Sequence, residues 1–148
     1  MAWLSAQQTK AASEWTPPSV IRIAAFLVAK YYAFFIILAF IGDRFRDAVL
    51  SNSHNNGELL QNTLAYVLYI SWGVLLLGST LLIPFYFVLR MRNRSIKLAF
   101  LVVLLMAEYG LYTWAASPSD PVNGLYNALV TLIFLVLFFR PTFTTSLE

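Results

Sequence analysis

Four long apolar stretches, almost free of charge, decide what this chain can fold into. They occupy residues 19–41, 59–89, 96–115 and 121–139. A helix needs about 20 residues to cross the ~30 Å hydrocarbon layer of a bilayer, and each stretch meets that length or falls just short of it. With 59% hydrophobic and 11% charged residues, the chain cannot cover a water-facing surface, where about 25% charged residues is usual. The expected fold is therefore all-α. It is an integral membrane bundle of four transmembrane helices with short loops, making residues 1–148 a single transmembrane domain.

Turn chemistry marks the ends of the stretches. Pro17 and Pro18 precede the first, and "GDRFRD" closes it. The loop "SNSHNNGE" is rich in asparagine, serine and glycine, residues that favour turns. The second stretch exceeds a simple crossing, so its helix must tilt, protrude or kink, and Pro84 near its end offers a kink. "RMRNRSIK" is a tight basic turn, and "SPSDP" ends the third stretch. Asp120 is placed to cap the fourth, with Pro121 at its first position. Residues 1–18 read as a cytoplasmic tail or an interfacial helix, with Trp3 and Trp15 at headgroup level. The first stretch follows a long polar lead and is about twice the length of a signal-peptide core, so it is expected to be a permanent span.

Lysine and arginine placement sets the expected orientation. The turn between the second and third stretches holds Arg90, Arg92, Arg94 and Lys97 and no acid. Such a turn belongs in the cytoplasm, which puts both termini there as well. Lys10, Arg22 and Arg140 agree with this, whereas Arg44 and Arg46 lie among Asp43, Asp47 and Glu58 on the opposite side. The expected location is a bacterial inner (cytoplasmic) membrane, crossed several times. The net charge of +3 is accounted for by this pattern, so no nucleic-acid partner is expected. Asp43 and Asp47 would share a face if helical, and with the interleaved arginines they read as a salt-bridged, solvated rim.

Inside the spans the informative residues are Lys30, in "AAFLVAKYYAFF", and Glu108. Lys30 lies eight residues past Arg22, roughly 12 Å along a helix, and Glu108 eleven past Lys97, roughly 16 Å. Both helices run outward from the cytoplasm in this topology, so the two groups reach similar depth. An unpaired charge there costs at least about 2.5–3.5 kcal/mol. An ion pair is expected, with Tyr112 and Asn127 completing a polar cluster. The cluster reads as a proton- or substrate-coupled site, as a packing lock within the bundle, or as a contact of one of its residues with a partner protein.

Small residues recur at four-residue spacing, as Ala25, Ala29 and Ala33 in the first stretch and Gly124 and Ala128 in the fourth. Such rows let helices approach closely. Trp72, flanked by Ser71 and Gly73, is expected to face another helix. The chain has no cysteine, and His54, its one histidine, sits in a loop. Neither a haem site nor a metal site is expected, and the acid–base inventory is too thin for an enzyme. The leading expectation is a small polytopic protein acting non-enzymatically, in the bilayer, on another membrane protein or as a homo-oligomer. It would be an accessory subunit, an assembly factor or an immunity-type protein. The alternative is a small oligomeric transporter or channel using Lys30 and Glu108.

Overall fold

The computed structural model describes residues 17–116 and 120–144. The segment expected to be a cytoplasmic tail or interfacial helix falls, but for its last two residues, outside this range. Four helices carry the fold: α1 Val20–Ile41, α2 Asn56–Leu89, α3 Arg94–Ala116 and α4 Pro121–Thr144. No strand occurs among the described residues. All four helices are long and apolar enough to cross a membrane.

Side-chain caps fix where each helix begins. Ser19 Oγ accepts from the Arg22 N–H at 3.2 Å at the start of α1. At α2, Asn55 Oδ1 accepts from the Glu58 N–H at 2.9 Å, while Glu58 accepts from the His54 N–H at 2.8 Å and from Asn55 Nδ2 at 3.0 Å. This reciprocal box starts the helix at Asn56, three residues before the apolar stretch, because the capping residues are themselves polar. Asn93 Oδ1 accepts from the Ile96 N–H at 3.2 Å, so α3 begins at Arg94. Lys97 thus lies one turn inside a helix and is buried, not displayed on the turn with the arginines. Asp120 Oδ1 accepts from the Val122 N–H at 3.1 Å and caps α4. That helix continues to Thr144 across a break at Phe139 (φ −126°, ψ 15°), just before Arg140 and Pro141.

The connection between α1 and α2 is more structured than a loop. Asp43 takes a left-handed conformation (φ 52°), and a π-helical turn follows over Arg46–Leu50. Asp43 is therefore no helical partner of Asp47. Asp43, Arg44, Arg46 and Asp47 are all exposed, but no ion pair links them, which corrects the salt-bridged part of the expectation. Val49 is buried in this turn, Phe45 meets the Tyr66 ring edge-on at 5.6 Å, and Asn62 donates to Ser53 Oγ and to the Asn52 carbonyl. The first turns of α2, a helix that runs unbroken through Pro84, pack against this cap.

Around the bundle, α1 lies between α2 and α4, and α3 packs mainly on α4 and more lightly on α2. Thus α1 and α3 sit on a diagonal. Phe26 of α1 meets Phe85, near the end of α2, and Phe139, near the end of α4. Both neighbours are therefore antiparallel to α1. The buried side chains of α1 (Ile23, Phe26, Leu27, Lys30, Tyr31, Phe34 and Leu38) form one inward stripe at three- and four-residue steps. Outside that core, large apolar side chains face outward all along the helices, among them Phe40, Leu68, Trp114 and Leu137.

Two sequence expectations fail against these stripes. Trp72 is 70% exposed; it stands two residues from Ile70 and Val74 on α2, about 200° round the helix from either. Ala25 is also exposed, because it falls beside the Ile23–Phe26–Lys30 stripe. Ala29, Ala33 and Ala128 are half-buried. The closest approach belongs to Gly124, where a Cβ would stand 2.9 Å from the Tyr109 ring and would collide with Thr113 Oγ1. Replacing Gly124 by valine should destabilise the α3–α4 contact by about 1–3 kcal/mol, as overpacking does. Equilibrium unfolding in mixed micelles checks this, and a variant as stable as the parent would contradict it.

Candidate functional site

Lys30 lies on the inward stripe of α1, Glu108 on that of α3, and Asn127 and Thr131 on that of α4. These positions bring the groups together at the centre of the bundle. Lys30 Nζ and Glu108 Oε1 form an ion pair across the diagonal between α1 and α3, with side chains 0% and 3% exposed. Phe34 and Tyr112, each one turn further along, also meet, with ring centroids 5.0 Å apart. The two helices therefore run in the same direction, as the shared-depth expectation requires.

The carboxylate is the acceptor at the middle of the network. Besides Lys30, Glu108 Oε1 accepts from Tyr31 Oη at 2.7 Å and from Asn127 Nδ2 at 3.1 Å. Glu108 Oε2 lies 3.2 Å from Thr131 Oγ1, which also lies 2.9 Å from the Asn127 carbonyl one turn earlier. A hydroxyl has one proton, so Thr131 donates to one of these acceptors at a time. The ammonium of Lys30 stands 4.2 Å from the Tyr31 ring centre and 5.8 Å from that of Phe85. Aromatic faces of this kind attract a desolvated cation. Charge, hydrogen bonding and π-electron density together replace the water that both groups lose.

Aromatic layers enclose the site above and below. One turn before Lys30, Phe26 packs edge-on against Phe85 at 5.3 Å, Phe138 at 6.0 Å and Phe139 at 5.4 Å. At the start of α1, Arg22 donates to the Phe138 carbonyl, and its guanidinium lies 5.6 Å from the centre of the Phe139 ring. One turn after Lys30, Phe34 packs on Tyr112 and Phe35. The void beside the pair measures about 30 Å³ and is lined by Tyr31, Leu77, Thr80, Leu81, Glu108, Leu111, Tyr112 and Asn127. A void of that size has room for water but not for an organic ligand.

Of the residues expected in the cluster, Lys30 and Asn127 each bond to Glu108. Tyr112 is buried nearby, but it packs edge-on against Phe34 and makes no hydrogen bond to the carboxylate. The sequence reading omitted Tyr31 and Thr131. Thr131 was readable, because it follows Asn127 by four residues and so shares its face. Tyr31 was less so, since adjacent residues diverge by about 100° on a helix. The small residues and the arginine turn lie outside the cluster. Among the described residues, no three of His, Asp and Glu converge to hold a metal ion. Comparison with protein families, characterised proteins and solved structures finds no match for this chain. The site has to be understood from its own geometry.

The two hydroxyl donors are not equivalent. Tyr31→Phe removes an undivided hydrogen bond to a charged acceptor and should cost about 1–2 kcal/mol, whereas Thr131→Val should cost less than about 1 kcal/mol. Unfolding free energies of the two variants give the order, and the reverse order would contradict this assignment of donors.

Proposed function

We propose that the protein is a multi-pass protein of a bacterial inner membrane, with both termini cytoplasmic, and that it acts non-enzymatically by binding another membrane protein through its outer helix faces. On this reading Lys30 and Glu108 hold the bundle together and do not carry a substrate. Support comes above all from how fully the chain's own side chains occupy the polar site. Its carboxylate is engaged by four side chains, aromatic layers lie on both sides, and the adjoining void of about 30 Å³ is far below the roughly 300 Å³ at which small-molecule pockets begin. The apolar exterior favours insertion, because helices that are hydrophobic all round belong in lipid or inside a large assembly. Arg90, Arg92 and Arg94 are exposed around one turn, which favours the cytoplasm for that end. Helix α2, about 51 Å long at ~1.5 Å per residue, would extend beyond the hydrocarbon layer together with the Arg46–Leu50 turn.

The chain has no cysteine, so single cysteines report orientation directly. His54→Cys should react with an impermeant maleimide on spheroplasts, and Arg92→Cys only after the membrane is opened. The opposite pattern would overturn the orientation. Mild-detergent extraction should yield a stoichiometric membrane partner. Reconstituted alone in liposomes, the protein should give no proton flux that Glu108→Gln abolishes. Such a Glu108-dependent flux would replace the binding reading with the transporter one.

A further inference from the structure

A second cavity, about 380 Å³ in volume, lies at the end of the bundle where α1 finishes and α4 begins. Its lining differs from that of the central void. Leu38, Ile41 and Val122 form apolar wall, while Arg44, Asp120, Asn123 and Tyr126 supply a guanidinium, a carboxylate, an amide and a phenol. The chain places Arg44 with some care. Asp43 turns the backbone through the left-handed region (φ 52°), which aspartate, after glycine and with asparagine, enters more readily than most residues. Arg44 then folds back over Gly42, so that a Cβ there would stand in ordinary van der Waals contact, 3.5 Å, with Arg44 Cγ and Nε. Asp120 is fixed from the other side by capping α4 through Oδ1.

One cleft that presents a guanidinium and a carboxylate above apolar walls selects against ligands of a single charge. An anion would meet Asp120 and a plain amine would meet Arg44. We propose that this cleft binds a phosphate–ammonium zwitterion, the headgroup chemistry of phosphatidylethanolamine. Arg44 holds the phosphate, for which the guanidinium fork is suited. Asp120 accepts from the ammonium, and the apolar walls take the glycerol and first methylenes. A lipid source rests on the membrane reading above, with this end at the outer surface. The soluble source would be a free phosphoethanolamine.

Native mass spectrometry of the purified protein with equal phosphatidylethanolamine, phosphatidylglycerol and phosphatidylcholine tests the site. The parent should retain phosphatidylethanolamine about tenfold over each of the other two, roughly the effect of losing one or two charge-assisted hydrogen bonds. Phosphatidylcholine carries the same charges but has no N–H to give Asp120. Arg44→Gln should lose the bound lipid, and Asp120→Asn, which keeps the helix cap, should erase the preference over phosphatidylglycerol. Displacement by free phosphoethanolamine at comparable concentration would assign the same site to a soluble zwitterion. Equal retention of all three lipids, or unchanged retention by Arg44→Gln, would overturn the proposal. Maleimide labelling reports insertion separately, so the two readings can fail independently.

Discussion

Burying an ammonium and a carboxylate in the same small space is costly unless each neutralises the other, and the centre of this bundle is built around that constraint. Losing one partner of a buried pair typically costs about 3–5 kcal/mol. Lys30 sits on α1 and Glu108 on the diagonal helix α3, so the pair ties together two helices that are not neighbours in the bundle. Tyr31 joins from α1, and Asn127 and Thr131 from α4, so three helices meet at one carboxylate. Phe85 of α2 supplies an aromatic face to the ammonium. Apolar packing alone tolerates sliding by a turn, whereas this network does not. Register specificity is the best-attested use of buried polar groups.

The outer surface follows the opposite rule. Large apolar side chains stand outward along every helix, and the exposed arginines gather at helix ends. A bundle of this kind presents few chemical handles, so its specificity has to come from shape, from the two ends, or from a partner. The clefts at the centre and at the Arg44 end divide accordingly. The inner one is narrow, with room for little more than water, while the outer one is wider and mixed in polarity.

Helix number, helix type and the Lys30–Glu108 pairing were legible in the sequence, because span length and loop charge order the helices and assign each residue a depth. What a linear pattern does not carry is rotation. Ala25 and Trp72 were misplaced because hydrophobicity is spread nearly evenly around α1 and α2, so composition gives no sign of which face turns inward. In a soluble helix the polar side reveals that face; here both sides are apolar. Tyr112 was placed on the carboxylate by spacing alone, but its ring is held by Phe34. The start of α2 was missed for a different reason. Asn55 and Glu58 look like loop residues until they are seen capping one another.

The most direct measurement is the stability of three variants: Lys30→Met, Glu108→Gln, and both together, unfolded reversibly in bicelles. Each single change should cost about 3–5 kcal/mol by leaving a buried charge uncompensated. The double variant removes both charges and keeps a carbonyl acceptor for Tyr31 and Asn127, while Thr131 can donate to the Asn127 carbonyl, so it should return to within about 1 kcal/mol of the parent. A double variant whose loss equals the sum of the two single losses would mean that Lys30 and Glu108 do not compensate each other, and would contradict the arrangement described.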